Sequence, residues 1–167
     1  GWGIGLDSYY GNVTNTTIEN NSITSSDAGV VFYGVDATNV AHYNSLTGNS
    51  PYDLGNSSTT VTIDASPNWW GSMYGPAAGQ IVGEATYSPW CGDAACSFLV
   101  SKNDKGEFII ESEDNINVSG GIKIDQPNTT ILLKNGTVIQ NNSPCFIVNA
   151  DNTTIKAESP GGAKCVP

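Results

Sequence analysis

Short runs in which apolar and polar residues alternate recur along the chain, with polar corners between them. The clearest pair is 122–131 and 146–155, which align at an offset of about 24 residues and both end in Asn-Thr-Thr-Ile. Apolar residues at every second position are typical of strands and not of helices. A repeat of this length marks units that bury their apolar faces only by stacking on one another. The pattern therefore predicts the coils of a β-solenoid.

The first half of the chain carries the same repeat. Asn21-Ser-Ile-Thr aligns with Asn44-Ser-Leu-Thr at nearly the same offset, Asn15 opens another Asn-Thr-Thr-Ile corner, and 58–61 is a looser copy. Abundant Asn, Ser, Thr and Gly supply the turns that solenoid corners need, and they disfavour long helices. We therefore expect an all-β chain with roughly 23–24 residues per coil.

Two longer segments carry a resemblance to a known family. Asp64-Ala-Ser-Pro-Asn-Trp-Trp-Gly-Ser72 is followed by Gly75-Pro76 and by Tyr87-Ser-Pro-Trp90, and 108–136 contains an Asn-Thr-Thr-Ile corner. On these residues the chain resembles right-handed parallel β-helix proteins of the pectate-lyase-like superfamily, in the branch found in cell-surface proteins of archaea and bacteria. The first segment is similar to the closing part of such modules and the second to their opening part. The resemblance implies a right-handed parallel β-helix but says little about function.

This resemblance divides the chain into three parts. They are 1–76, closing coils of a β-helix module; 77–96, an irregular connection rich in Gly, Pro and Cys; and 97–167, opening coils. The closing part comes first, and Pro167 joined to Gly1 would read as an unbroken corner and strand. Across that join, the interval from Phe146 to Ile4 is close to the internal period. We therefore expect one period of a tandem array, or a subunit whose open coils complete each other between copies.

The expected assembly joint takes its residues from both ends of the sequence. They are Gly1, Trp2, Ile4, Leu6, Phe146, Val148, Val166 and Pro167. An open solenoid end is an unpaired strand edge backed by exposed core, which associates unless it is capped. Stacked copies would pair their backbone groups as in cross-β structure. The alternative is that capping segments lie outside this sequence.

Four cysteines, Cys91, Cys96, Cys145 and Cys165, form an even set with three possible pairings. None belongs to a Cys-x-x-Cys pair, and the single His42 is distant from all of them in sequence, so we expect no zinc site. We favour Cys91–Cys96, which closes a small loop, and Cys145–Cys165, about one coil apart. Disulfides indicate an oxidising, extracellular or cell-surface location. Free or intermolecular thiols are the alternative.

The charge balance limits the classes of partner. The formal net charge is −10 and arginine is absent, which excludes the basic surface that nucleic acid requires. No apolar run is long enough to span a membrane as a helix.

Catalysis is not expected, although the fold invites a comparison with polysaccharide lyases and hydrolases. The resemblance implies an Arg or Lys base with calcium for a lyase, and a hydrolase needs paired acids. This chain has no Arg, and its six lysines are scattered. Asp125 and Asn149 with Asp151 fall at equivalent corners and could form a small acidic ladder, but solvated corner residues explain them better. We name no catalytic residue.

The densest acidic cluster is the only candidate for a metal. It comprises Glu111, Glu113 and Asp114, with Asp104 and Glu107 nearby in the sequence, and the oxygens of these residues could hold Ca²⁺. The sequence lacks the known calcium-loop patterns, and a charged face that keeps the surface soluble is the simpler explanation. We therefore name no metal ligand and no cofactor, with Ca²⁺ as the alternative.

Nine Asn-x-Ser/Thr sequons occur, and in a secreted protein they are glycan acceptors by chemistry. The expected sites are Asn12 and Asn56, in longer loops, followed by Asn20, Asn117, Asn135 and Asn141. Asn128 and Asn152 belong to the Asn-Thr-Thr corner, where Asn tolerates a left-handed backbone and its amide can stack coil on coil. We expect these two to remain unmodified.

The repeat and the aromatic residues together lead to the expected function. Trp and Tyr side chains could stack on sugars, but Trp69, Trp70 and Trp90 are expected to seal the solenoid or pack a loop against it. We expect a structural extracellular protein, a repeat unit that stacks end to end with copies of itself into a fibre, sheath or surface layer. The alternatives are a glycan-binding or adhesin module of a large surface protein, and then a polysaccharide lyase or hydrolase fragment.

Overall fold

The computed structural model describes residues 1–112, 114–141 and 144–166. The chain is 40% strand and 2% helical, and its strands form a parallel β-solenoid of about seven turns, which confirms the predicted fold class. It divides into two compact units, Gly1–Cys96 and Ser97–Pro167. A short 3-10 helix, Ser8–Tyr10, lies in the first unit.

The first unit contains eleven short strands among its described residues. They are β1 (Trp2–Asp7), β2 (Thr17–Glu19), β3 (Ser22–Ile23), β4 (Ala28–Tyr33), β5 (Val40–His42), β6 (Ser45–Leu46), β7 (Tyr52–Asn56), β8 (Ile63–Asp64), β9 (Ile81–Val82), β10 (Ala85–Thr86) and β11 (Trp90–Cys91). The first two coils each place one strand in each of three parallel sheets. The strand orders are β1-β4-β7-β9, β2-β5-β8-β10 and β3-β6.

The strand register confirms the predicted repeat length. In the first unit, Thr17 of one coil lies opposite Val40 of the next. In the second unit, Thr130 lies opposite Thr154. Both intervals agree with the roughly 23–24 residues expected per coil. The coil that begins with β1 is longer because the Ser8–Tyr10 helix is inserted after this strand.

The second unit begins with a hairpin and continues as parallel coils. Its strands are β12 (Leu99–Lys102), β13 (Phe108–Glu111), β14 (Ile122–Ile124), β15 (Thr130–Leu133), β16 (Val138–Gln140), β17 (Phe146–Val148), β18 (Thr154–Ala157) and β19 (Lys164–Val166). β12 is antiparallel to β13, whereas β13-β15-β18, β14-β17 and β16-β19 are parallel. Asn103 makes the hairpin turn, since its Oδ1 accepts the backbone N–H groups of Lys105 and Glu107 at 3.0 Å.

The core consists of apolar side chains that stack in register from coil to coil. In the first unit, Val30 of β4 lies opposite Leu54 of β7, and both are fully buried. In the second unit, Ile110 and Ile131 are fully buried on β13 and β15. Burial of such residues contributes about 25 cal/mol per Å² of apolar surface removed from water. Because each coil buries the face of its neighbour, the solenoid is stabilised by stacking.

The Asn-Thr-Thr-Ile motif has a structural cause. Asn15, Asn128 and Asn152 have φ values of 54°, 58° and 54°, the left-handed conformation that Asn tolerates. The Thr after the Asn then caps the preceding turn: Thr129 Oγ1 donates to Gln126 O at 2.7 Å, and Thr153 Oγ1 repeats this contact one coil later. The motif therefore forms the corner that leads into the second strand of a coil.

Residues 77–96, for which the sequence predicts an irregular connection, contain three short strands. β9 pairs with β7 and β10 pairs with β8, so this segment adds strands to two of the sheets. The sharp turn between β9 and β10 is made by Gly83, whose φ is 86° and whose Cα lies against the backbone of Asn56. Strands of two residues are too short to show alternation in the sequence.

Two disulfides are present, and no described cysteine is free. Cys91 is joined to Cys96 with Cα atoms 4.6 Å apart, and Cys145 is joined to Cys165 with Cα atoms 6.0 Å apart. These are the two pairs that the sequence favoured. The second bond closes the last described coil, since Cys145 precedes β17 and Cys165 lies in β19.

Candidate functional site

The residues of the expected assembly joint fall on two coils, one in each unit. The head coil is β1, β2 and β3, and the tail coil is β17, β18 and β19. Among the described residues, each of these six strands has a hydrogen-bonded neighbour on one side only. Gly1 is exposed, and Pro167 lies outside the described residues. The joint residues therefore border unpaired strand edges.

Apolar exposure on these coils contrasts with the coils beside them. Val148 is 47% exposed, whereas Ile124, opposite it on β14, is fully buried. Trp2 is 48% exposed on β1. The other members of the joint, Ile4, Leu6, Phe146 and Val166, are half-buried. The tail coil thus presents an apolar side chain of core type to its open side, whereas in the head coil Trp2 lies against Gly5 of its own strand and Ile18 is buried.

Two of the acidic residues considered for a metal, Glu107 and Glu111, are engaged with lysines. Lys134 Nζ pairs with Glu111, and Lys156 Nζ pairs with Glu107 at 2.6 Å. The Glu111 carboxylate raises the pKa of Lys134 by accepting its hydrogen bond. No group of three or more His, Cys, Asp and Glu side chains could hold a metal ion within residues 1–112, 114–141 and 144–166. Glu113 lies outside the described residues.

The corner acids and the histidine belong to different units of the fold. Asp125 and Asp151 are exposed in the corners that follow β14 and β17 in the second unit. His42 of the first unit is half-buried on β5, and its Nε2 lies 3.2 Å from Asp64 Oδ2. The prediction that no residue is catalytic is not tested by this arrangement.

The sequons divide into exposed and buried sites. Asn12, Asn20, Asn117 and Asn135 are exposed, as a glycan acceptor must be. Asn56 is only 5% exposed, and its Nδ2 donates to the carbonyls of Val61 and Glu84 at 2.7 and 2.8 Å.

A glycan on Asn56 would have to replace both of these hydrogen bonds, which disfavours this acceptor, and the glycosylation of each sequon stays a prediction. Asn141 is disfavoured for the same reason. It is 8% exposed, and its Nδ2 donates to Val118 O at 2.6 Å. Ser143, the third residue of that sequon, lies outside the described residues.

A ladder of asparagine amides connects three coils of the first unit. Asn21 Nδ2 donates to Asn44 Oδ1 at 3.0 Å, and Asn44 Nδ2 donates to Asn68 Oδ1 at the same distance. Asn68 Nδ2 ends the ladder on the carbonyls of Ala41 and Ala65 at 2.7 Å. A related contact joins the corners of the second unit, where Asn152 Nδ2 donates to Asn128 Oδ1 at 3.2 Å. Buried amides that are satisfied in this way fix the register of the coils.

Beside this ladder lies a groove of about 350 Å³ on the surface of the first unit. Its floor is a column of residues from three successive coils, in which Ser22 lies opposite Ser45 and Ser45 opposite Trp69. A second column, Asn20 and Tyr43, forms one side. The Cys91–Cys96 disulfide and Ala94 and Ala95 within its loop also line the groove.

Tyr43 is a groove residue that the sequence analysis does not single out. It is 51% exposed and has a φ of 55°, in the left-handed region, which is rare for a bulky side chain. Asn20 occupies the equivalent corner one coil earlier, with a φ of 58°. The sequence could have singled out Tyr43 through the alignment of Asn20-Asn21-Ser22 with Tyr43-Asn44-Ser45. This alignment places Tyr at a corner that favours Asn.

The three tryptophans expected to be structural differ in their environment. Trp70 and Trp90 are buried, and Trp90 Nε1 donates to Met73 O at 2.9 Å. Trp70 Nε1 has no hydrogen-bond partner among the described residues. Trp69 is half-buried and lines the groove. Trp69 is therefore the one tryptophan of the three that can contact a ligand there.

A search of the described residues for membrane-spanning helices finds none of sufficient length and apolar character. A scan against protein-family models, a search of curated proteins and a search of solved structures each find no match to the chain.

Proposed function

We propose that this chain is a structural repeat unit whose copies stack through the head coil and the tail coil into an extracellular fibre, sheath or surface layer. The observation that carries the proposal is that each of these coils offers three unpaired strand edges, among the described residues, and that the tail coil also exposes Val148 and Ile155, whose partners one coil earlier are buried. Such edges are templates for strand pairing with another chain. The proposal applies whether the copies are separate chains or successive segments of one polypeptide.

The two coils match in their order of strands. Each consists of three short strands, and in each the second strand follows an Asn-Thr-Thr corner. Ile155 of the tail coil is 37% exposed, although the equivalent Ile131 one coil earlier is fully buried. Ile18 holds this position in the head coil. Placing Ile18 of one copy over Ile155 of another would continue the core column across the joint.

The same register brings opposite charges together. Lys156 follows Ile155 and Glu19 follows Ile18, so the two side chains would lie on neighbouring strands at the joint. A cross-strand pair of opposite charges contributes about 0.2–1 kcal/mol. Lys156 would then have carboxylates on both sides, since it already pairs with Glu107 within its own unit.

The disulfides support the extracellular part of the proposal, because such bonds persist in oxidising compartments. The exposed candidate acceptors Asn12, Asn20, Asn117 and Asn135 are compatible with a glycoprotein. The resemblance to cell-surface β-helix proteins of archaea and bacteria belongs to this proposal as well.

The test is to measure the assembly state of the purified chain by sedimentation and by electron microscopy. We expect the wild-type protein to form filaments or sheets. Val148→Asp should keep it monomeric, because the charge enters the joint. Tyr33→Asp is the matched control: Tyr33 is 49% exposed, but it lies on β4, which is paired on both sides, and this variant should still assemble. A wild-type chain that remains monomeric at all concentrations would overturn the proposal.

A charge exchange tests the register. Lys156→Glu and Glu19→Lys should each weaken assembly, and the double variant should restore it. If the wild type assembles but the double variant behaves as the sum of the single variants, the stacking is retained and this register is wrong.

A further inference from the structure

We propose that the groove over Ser22, Ser45 and Trp69 binds a neutral saccharide. This goes beyond the structural role, because the groove runs across three coils to the disulfide loop, and only its Asn20–Ser22 end belongs to the head coil. It is defined as the cavity of about 350 Å³ between the Asn20–Tyr43 column, the Ser22–Ser45–Trp69 column and the Cys91–Cys96 loop.

The shape of the groove follows from the sizes of residues in one column. Ser22 and Ser45 occupy the floor in two successive coils, and in the third coil the same position holds Trp69. Neighbouring strands are about 4.8 Å apart. Two small residues followed by a large ring therefore leave a trough two coils long that Trp69 closes at one end.

The polar groups around the trough are available to a ligand. Within the described residues, the hydroxyls of Ser22, Ser45 and Tyr43 and the side-chain amide of Asn20 have no hydrogen-bond partner. The neighbouring amides of Asn21 and Asn44 differ, since both are engaged in the ladder. The groove thus combines an amide ladder that is already hydrogen-bonded with a rim of free hydroxyl and amide groups.

The composition of the lining selects the class of ligand. Two aromatic rings, Tyr43 and Trp69, can pack on the C–H faces of a sugar, while hydroxyls and an amide can bond to its hydroxyl groups. Of the described side chains, none that lines the groove is charged. The first unit contains eight acidic residues and no lysine or arginine, so a phosphorylated or carboxylated ligand would be repelled. An anionic occupant is therefore disfavoured, and the uncharged hydroxyl and amide groups of the lining suit a neutral sugar.

The backbone of Tyr43 is the second, independent observation. A bulky residue at a φ of 55° is sterically unfavourable, and Asn, which fits this conformation, holds the equivalent position in the preceding coil. Strained positions of this kind cluster at binding sites. The ring of Tyr43 is also exposed, so it does not serve the core.

The experiment uses the unglycosylated full chain and a panel of neutral saccharides, namely oligomers of glucose, galactose, mannose and N-acetylglucosamine. Binding is followed by tryptophan fluorescence and by NMR shifts of groove residues. We expect at least one member to bind, and Tyr43→Asn to weaken this binding by about tenfold. Because Asn suits the left-handed corner, the variant should unfold at the same or a higher temperature than the wild type.

The controls separate binding from folding. Tyr10→Asn removes a tyrosine that is 93% exposed and lies outside the groove, and it should leave binding unchanged. Ser45→Trp fills the trough and should abolish binding in a folded protein. The proposal is overturned if no member of the panel binds at millimolar concentration, or if Tyr43→Asn binds as the wild type does. Binding of acidic sugars alone would also overturn it.

The saccharide in the groove could come from the protein itself, because Asn20 at the rim of the groove begins a glycosylation sequon. Glycosylated wild-type protein and Asn20→Gln made in the same cells distinguish the sources. If the glycan on Asn20 occupies the groove, only Asn20→Gln binds added saccharide. If both proteins bind it, the ligand comes from outside. Either result supports the groove as a saccharide site.

Discussion

The carboxylate of Asp53 is 1% exposed, and amide groups satisfy both of its oxygens. Oδ1 accepts from the backbone N–H and the Nδ2 of Asn49, at 3.0 and 2.7 Å, and Oδ2 accepts from Gln80 Nε2 at 2.7 Å. Asp53→Asn would turn one acceptor into a donor that faces another donor. We expect the free energy of unfolding to fall by about 1–3 kcal/mol, measured by denaturant titration.

The matched control for this substitution is Asp7→Asn. Asp7 is exposed, and its carboxylate accepts the Tyr9 N–H at 2.8 Å, a role that the oxygen of Asn can keep. The change should therefore stay within about 0.5 kcal/mol. Equal effects of the two substitutions would mean that the buried bonds of Asp53 add no stability.

Single residues were predictable where the backbone itself demands a residue type. The Asn of each Asn-Thr-Thr corner was expected to be left-handed, and the structure places all three there. The burial of Asn56 was not predictable, because it depends on β10 and on the turn at Gly83. Neither of these has a recognisable pattern in the sequence. Tyr43 was missed because only an alignment of the coils shows that it stands at a corner position that favours Asn.

Among the elements, the β12–β13 hairpin is joined to β18 by an ion pair. The hydrogen bond from Lys156 lowers the pKa of the Glu107 carboxyl, and a second bond from Asn103 adds to this. A carboxyl with a lowered pKa stabilises the fold at pH values above its unfolded pKa, and this contribution is lost as the pH falls through the lowered value. Lys156→Met should therefore destabilise the protein most at neutral pH. The difference in melting temperature from the wild type should shrink below about pH 4.5, the ordinary glutamate value.

These melting curves are best recorded on dilute protein, at which stacking does not contribute. Lys123→Met provides the control, because Lys123 is exposed on β14 and forms no ion pair among the described residues. A difference between Lys156→Met and the wild type that does not change with pH would show that the lysine acts through packing alone.

Elements with clear alternation were predictable, and those without it were not. β14 and β17 carry the alternating pattern of one repeat, and they pair as the sequence alignment implies. The antiparallel direction of β12 depends on the turn at Asn103. This turn is not part of the repeated pattern, so the repeat does not predict it. β9 and β10 were missed because strands of two residues have no measurable period.

For the whole molecule, the net charge of −10 opposes the association of copies. Each copy repels the next over a screening length of about 30 Å at 0.01 M salt, which falls to about 8 Å at 0.15 M. Assembly should therefore increase over this range of salt, as light scattering at constant protein concentration can show. A decrease would mean that local ion pairs such as Lys156–Glu19 dominate over the net repulsion.

The fold of the whole molecule was the most predictable level, because the same period recurs in both halves of the chain and one coil determines the next. The saccharide groove was the least predictable. It arises from side chains in three coils and from a disulfide loop, which are brought together only by the register of the strands.

The Cys145–Cys165 bond has a mechanical consequence. It joins residues 20 positions apart and closes the coil of β17, β18 and β19 into a ring. A pulling force applied at the end of β19 is transmitted through the bond to Cys145 and bypasses the strands between. About 20 residues, or roughly 70 Å of extended chain, are thereby withheld from stretching. In a filament under tension, this ring would stop a copy from unravelling one strand at a time.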